Sequence, residues 1–168
     1  MSSVAPAIFS PPDGPSMRPA DGAVVVALFD GRCGVCSRSA RWIGERDGAG
    51  RIERLDLRDP RAAARFPRLD PDAVRAQMHV VDRDGRVVVG LDGVRAVLRE
   101  LPGWSALAGE LGLPGLHLLA GVLYRAFARH RLTFNRFLPV PQGAEPCTDA
   151  CAVDWDALRR AAEAREEA

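Results

Sequence analysis

The sequence has no lysine: all 23 of its basic residues are arginines. This excludes chemistry built on a neutral amine, such as a Schiff base with a carbonyl substrate. Neither sign of charge is in excess, since 22 acidic residues leave a net charge of +1. Such a chain lacks the basic footprint of a dedicated nucleic-acid binder, and no nucleic-acid partner is expected. No apolar run reaches the about 20 residues that cross a bilayer. Residues 1–22 lack the basic start and apolar centre of a secretory signal. Cysteine is scarce: four residues, set as the close pairs Cys33/Cys36 and Cys147/Cys151. A cytoplasmic location is therefore expected, where close pairs are more often redox or metal sites than structural bridges.

What is present organises around Phe29-Asp30-Gly31-Arg32-Cys33-Gly34-Val35-Cys36. Before it, Ala23 to Phe29 is apolar and rich in valine, which predicts a buried strand. After it, Ser37 to Arg46 predicts a helix, with Asp30-Gly31 as the turn between them. A cysteine at such a turn faces unpaired helix N–H groups and the positive end of the helix dipole, which stabilise its thiolate. The second cysteine, one turn on, is close enough to close a disulfide. Arg32 is a neighbouring cation expected to favour the thiolate further.

With 168 residues, 47% hydrophobic and 27% charged, the chain can bury one sizeable core. Residues 1–22 hold five prolines and little apolar periodicity, and are expected to form a flexible tail. Ile52 to Leu57 predicts a second strand. Asp59-Pro60 and Asp70-Pro71 are helix-start signals for two short helices. Residues 78–81 and 86–89 flank Asp84-Gly85, which predicts a hairpin with a primed turn. Asp92 is expected to cap a helix carrying Val94, Val97, Leu98 and Leu101 on one face. This order, a βαβ unit then ββα, is that of an α/β thioredoxin-like core over residues 23–103. Residues 104–168 form a helical C-terminal extension. Within it, the helix 114–129 carries Leu116, Leu119, Ala120, Leu123 and Phe127 on a stripe expected to be buried, and Asp154 is expected to cap a last helix.

The motif also has a family look. Asp30-Gly31-Arg32-Cys33-Gly34-Val35-Cys36 resembles the D-x-x-C-x-x-C signature of the DCC family of thiol-disulfide oxidoreductases. The likeness continues through Val80 to Val87 and Gly90, through Asp92 to Leu98, and on to Leu113-Pro114-Gly115, Leu123-Tyr124-Arg125 and Asn135-Arg136. It covers roughly residues 23–137. It implies a thioredoxin-like fold and a redox-active dithiol, and names no substrate. The motif departs from thioredoxin itself. Arg32 and Val35 stand where thioredoxin has tryptophan and proline, and no proline precedes Met78.

The expected chemistry is thiol–disulfide exchange at Cys33 and Cys36, which needs no cofactor and no metal. Asp30 is a candidate proton acceptor for the resolving cysteine, or a turn residue, or both. Arg32, Gly34 and Val35 are candidates for substrate binding or for tuning the thiols. The partner is expected to be a disulfide or dithiol, on a protein or a small thiol. Cys147 and Cys151 are a possible second thiol pair. With Cys33 and Cys36 they would give the alternative of a zinc-stabilised four-cysteine binding module, although their spacing is unlike a zinc knuckle. His79, His117 and His130 are isolated and are expected to be packed or surface residues. Ser37 and Ser39 are expected on a helix face.

Residues 111–144 contain no acid and carry Arg125, Arg129, Arg131 and Arg136, which gives +4 against −3 for the rest of the chain. That is a candidate surface for an anionic membrane or acidic partner, and the basis for the alternative of a non-catalytic interaction protein. The reading preferred from sequence is a packed helix with cations at its C-terminal end.

Overall fold

Four consecutive residues, Val25 to Leu28, are each at most 4% exposed. A strand achieves this at the centre of a sheet covered on both faces. In the computed structural model, which describes residues 18–20, 22–134 and 153–166, they lie in β1 (Val25–Phe29). The chain continues through α1 (Gly34–Arg46), β2 (Ile52–Asp56), α2 (Pro60–Arg65), α3 (Pro71–Ala76), β3 (His79–Asp82) and β4 (Val87–Val89). It ends with α4 (Gly90–Glu100), α5 (Ser105–Glu110), α6 (Pro114–Phe134) and α7 (Trp155–Glu166). The sheet order is β2-β1-β3-β4. β1 pairs with β2 in parallel, Val25 opposite Ile52 and Leu28 opposite Leu55. β1–β3 and β3–β4 are antiparallel. This is a thioredoxin-like fold, in the element order that the sequence predicts.

Strand alternation splits the core into two layers. Val26, Leu28, Leu55 and Val81 face α2, α3 and α7, where Phe66, Val74 and Trp155 fill the space. Val25, Ala27, Ile52 and Val80 face α1, α4 and α5, with Ile43, Val97 and Leu101. α7 belongs to the first layer. Trp155 is 3% exposed, and its indole N–H donates to the Leu57 carbonyl at 3.0 Å. Arg159 donates to the carbonyls of Ala63 and Pro67 beside α2. Asp154 accepts from the Ala157 N–H at 2.9 Å, the cap that the sequence predicts.

Of the stretch predicted as a flexible tail, residues 1–17 and 21 lie outside the described residues. Its far end is docked: the Ala20 N–H donates to Glu53 at 2.7 Å, and the Arg65 guanidinium bonds the Arg18 carbonyl.

Three local expectations are corrected. The hairpin does not use a primed two-residue turn. The Gly85 N–H donates to the Asp82 carbonyl and the Asp82 N–H to the Arg86 carbonyl. Among the described residues only glycines have positive φ, whereas a type I′ turn requires it at both central residues. The loop is a three-residue one with Gly85 left-handed, held by Asp82 Oδ1 accepting from the N–H groups of Asp84 and Arg86. Asp92 does not cap α4. That helix starts earlier, with Val89 as N-cap and no side-chain cap bond. Asp92 instead pairs with Arg95 at 2.8 Å, and Arg95 donates to the Ala108 carbonyl, tying α4 to α5.

The third correction concerns α6. Its apolar stripe is not buried: Leu116, Leu118, Leu119, Val122, Leu123 and Phe127 are 41% to 67% exposed. The half-buried residues are His117, Ala120, Gly121, Tyr124, Ala128 and Arg131. The face turned inward is small and polar because the helix is anchored by polar contacts. Tyr124 Oη accepts the Met78 N–H at 2.9 Å. Gly90 sits beside the tyrosine ring at φ +62°, a left-handed backbone that favours glycine, and a Cβ there would lie 2.9 Å from Gln77 Oε1. Among the described residues no helix is long and apolar enough to cross a membrane.

The two kinds of apolar residue should differ in their stability cost. Phe66 is fully buried, so Phe66→Ala should lower unfolding free energy by about 3–5 kcal/mol. Leu118→Gln, on the open face of α6, should change it by no more than about 0.5 kcal/mol. Urea denaturation measures both. A loss at Leu118 as large as at Phe66 would contradict the exposure of α6.

Candidate active site

The site is built where β1 turns into α1. The Leu57 N–H donates to the Phe29 carbonyl at 2.9 Å, carrying the parallel ladder one step beyond β2. Asp56, at the end of β2, then clamps the turn. Its Oδ1 accepts from the N–H groups of Gly31 at 3.1 Å and Arg58 at 3.0 Å. A Cβ on Gly31 would lie 2.0 Å from Asp56 Oδ2, so only glycine admits this approach. The Asp30 carboxylate accepts the Arg32 N–H at 3.0 Å, and the Asp30 carbonyl accepts the Cys33 N–H. Ser37 is not merely a helix-face residue. Its hydroxyl donates to the Gly31 carbonyl at 2.8 Å, tying helix to turn.

α1 starts at Gly34, three residues before the predicted start. Cys33 is therefore the N-cap itself, with extended backbone, and its Sγ accepts the Cys36 N–H at 3.4 Å. The sulfur takes the place that a serine or aspartate oxygen takes in an ordinary cap. Both residues are free thiols. Cys33 is wholly buried, while Cys36 is half-buried.

The two thiols are driven apart. Cys33 is lowered to about 6, first by the hydrogen bond from the Cys36 thiol. The Cys36 backbone N–H and the Arg131 cation help, against burial and the Asp30 charge. Cys36 is pushed up, first by that same hydrogen bond, then by burial and by the negative charge on Cys33. One proton shared between two sulfurs makes one of them a thiolate and keeps the other a thiol.

Asp30 is 3% exposed. Its Oδ1 pairs with Arg58 Nε at 3.0 Å, and its Oδ2 lies 3.9 Å from Arg75 Nε without a hydrogen-bond donor of its own. Beside the pair is a cavity of about 260 Å³, bordered by Asp30, Val35, Cys36, Met78, Tyr124 and Arg131 among others. The turn thus brings together Asp30, Arg32, Cys33, Gly34, Val35 and Cys36. Arg32 joins through its backbone, and the cation that lowers Cys33 comes from α6. Sequence reasoning missed Arg131, Tyr124, Asp56, Arg58 and Arg75. Tyr124 and Arg131 stand seven residues apart on one helix face, a spacing that could have marked them as a pair. The other three carried no signal.

Cys147 and Cys151 lie outside the described residues. Among the described residues no group of three or more His, Cys, Asp or Glu side chains could hold a metal ion. His79 is buried, with Nδ1 3.0 Å from the Gln77 carbonyl. Burial lowers its pKa, as befits a neutral packed histidine.

The pH dependence of alkylation should follow the lowered thiol. Because Cys33 titrates at about 6, its reaction with iodoacetamide should rise through that pH and level off near neutrality. Cys36 should stay unreactive there. Peptide mapping of the alkylated sites checks this, and Cys36 labelled first would reverse the assignment.

The sequence matches the model of the DCC1-like thiol-disulfide oxidoreductase family over residues 27–137. It is also 31% identical, over 108 residues, to a protein of Arabidopsis thaliana described as uncharacterized and chloroplastic. That similarity covers 62% of this chain and 50% of the relative, so the chain spans about half the relative's length. No solved structure gives a significant match. The family match takes in the dithiol turn, the sheet and α6 together, and the chain belongs to the DCC1-like thiol-disulfide oxidoreductase family.

Proposed function

We propose that this protein exchanges a Cys33/Cys36 dithiol with the disulfide of a substrate. The observation that carries the reading is the position of Cys33 Sγ at the N-cap of α1, accepting the Cys36 N–H at 3.4 Å. A thiolate is the attacking species, and this placement stabilises it where attack must start. The Cys33 thiolate attacks one substrate sulfur. A Cys33–substrate disulfide forms, the substrate S–S bond breaks, and the released thiolate takes a proton. Cys36 then loses its proton and attacks Cys33 Sγ. The protein disulfide closes and the second substrate thiolate leaves. Two electrons pass from the protein dithiol to the substrate, and the reverse sequence oxidises a substrate dithiol.

Asp30 is assigned as the acceptor of the Cys36 proton. It borders the same cavity as Cys36, and its Oδ2 has a free lone pair. Arg32, Gly34 and Val35 are assigned to the edge of the substrate site. Residues 23–103 serve as the thioredoxin-like unit, and residues 104–168 as an extension that adds Ala108 and Trp155 to its core and completes the site through α6. Exchange of this kind needs no cofactor.

Two other readings stay distinct. A non-catalytic interaction protein is favoured by the open apolar face of α6. A four-thiolate zinc module would need Cys147 and Cys151, and metal analysis of the purified chain tests it. The redox reading is tested with Cys147 and Cys151 both changed to Ser. Cys33→Ser should abolish disulfide exchange. Cys36→Ser should still attack but stall as a mixed disulfide, visible as a mass adduct that a reductant removes. Full exchange activity in Cys33→Ser would end this assignment.

A further inference from the structure

The site restricts what can reach it. Cys33 is wholly buried, and the sulfur-bearing residue that borders open space is Cys36, on the wall of the cavity of about 260 Å³. This is just under the range of about 300–1,000 Å³ usual for pockets that hold drug-sized ligands. A disulfide on the surface of a folded protein does not fit into such a space. A small disulfide does, entering where Ser39 and Phe127, both exposed, lie on the rim.

The walls say what kind of molecule fits. They are largely apolar: Leu28, Val35, Ile43, Met78 and Phe127 contribute. Two charged groups near the sulfurs differ in how far they are compensated. Asp30 is already matched by Arg58 at 3.0 Å and Arg75 at 3.9 Å. Arg131 also borders the cavity, and among the described residues it makes no salt bridge to a carboxylate. The anion this cation acts on is the Cys33 thiolate, whose pKa it helps to lower, and that charge disappears when Cys33 enters a mixed disulfide. A guanidinium beside an apolar wall then needs an anion, and it holds a carboxylate in a defined orientation.

We propose that this cavity binds a small disulfide with an aliphatic body and a carboxylate, the carboxylate on Arg131 and a sulfur beside Cys36, the member of the pair on the cavity wall. The inference rests on the redox reading above and adds the substrate class. The reaction balances as before: the protein dithiol loses two electrons and two protons, and the small disulfide becomes two carboxylated thiols.

Three disulfides of equal chain length test it: 3,3′-dithiodipropionate, bis(2-hydroxyethyl) disulfide and cystamine, which are anionic, neutral and cationic. Each oxidises the reduced full chain, with Cys147 and Cys151 changed to Ser. Each rate is divided by that of the same disulfide with dithiothreitol. The normalised rate should be about tenfold higher for dithiodipropionate than for cystamine, equivalent to about 1.4 kcal/mol. Arg131→Gln should bring the ratio near one, while Arg131→Lys should keep most of it. Arg129→Gln, on the same helix but off this cavity, should leave it unchanged. Because Arg131 also favours the thiolate, Arg131→Gln will slow all three disulfides; the ratio is unaffected by that common loss. A ratio near one in the unaltered protein would overturn the proposal. So would a ratio that survives Arg131→Gln, or a folded protein disulfide that reacts faster than any of the three. Exchange with none of them and with no protein disulfide, in a protein whose Cys33 alkylates normally, would instead sink the redox reading itself.

Discussion

A negative sulfur buried away from water is stable only if its charge is met on the spot. Cys33 is such a sulfur, and most of the architecture answers to it. The helix N-terminus supplies the Cys36 N–H. The neighbouring thiol supplies a second hydrogen bond, and α6 supplies the Arg131 cation. None of these works unless the turn is held still. The clamp from Asp56 to the Gly31 and Arg58 N–H groups does that, as does the bond from Ser37 to the Gly31 carbonyl. The parallel pairing of β1 and β2 matters to the site because it brings Asp56 beside Gly31.

α6 follows a different logic. A helix that packs by its apolar stripe can slide or roll at small cost, since apolar contact is not directional. This one turns the stripe outward and is fixed by a directional bond, the Met78 N–H to Tyr124 Oη. The outcome places Arg131 two turns further along the same inward face. Hydrophobic burial given up on α6 is thus exchanged for position at the dithiol. It leaves an apolar surface that larger helices normally hide.

What could be read from sequence follows from how local the cause is. The strand, turn and helix around Cys33 are set by residues close in the chain: valines, Asp30-Gly31 and the cysteines. The element order and the two-layer core follow from alternation and helix-start signals such as Asp59-Pro60 and Asp70-Pro71, both of which cap as expected. The errors share another cause. Asp92 resembles a cap, but Gly90 starts the helix a turn earlier by closing a bond to the Met78 carbonyl. Asp84-Gly85 resembles a primed turn, but the Asp82 side chain captures two N–H groups and sets a longer loop. Leu116, Leu119, Leu123 and Phe127 resemble a buried stripe, but Tyr124 bonds the Met78 N–H at β3's approach and turns its own face inward, which leaves the stripe exposed. In each case a side chain or glycine found a tertiary partner that periodicity does not encode. Arg131 could be read only as one of four cations on a candidate surface, because its place beside the dithiol depends on which way α6 faces.

The contacts at Cys33 also bear on redox balance. The N-cap hydrogen bond and the Arg131 cation act on a charge that exists only while the dithiol is reduced. Closing the disulfide removes that charge and forfeits both interactions, whereas Asp30 keeps its arginine partners in either state. Interactions of this kind stabilise the reduced form alone and so raise the reduction potential. Burial acts the other way, since a neutral disulfide loses nothing by leaving water. The opposition shows in Cys33 itself, where burial and the Asp30 charge raise the pKa and the hydrogen bonds and Arg131 lower it. The net fall to about 6 shows which side prevails for the thiolate.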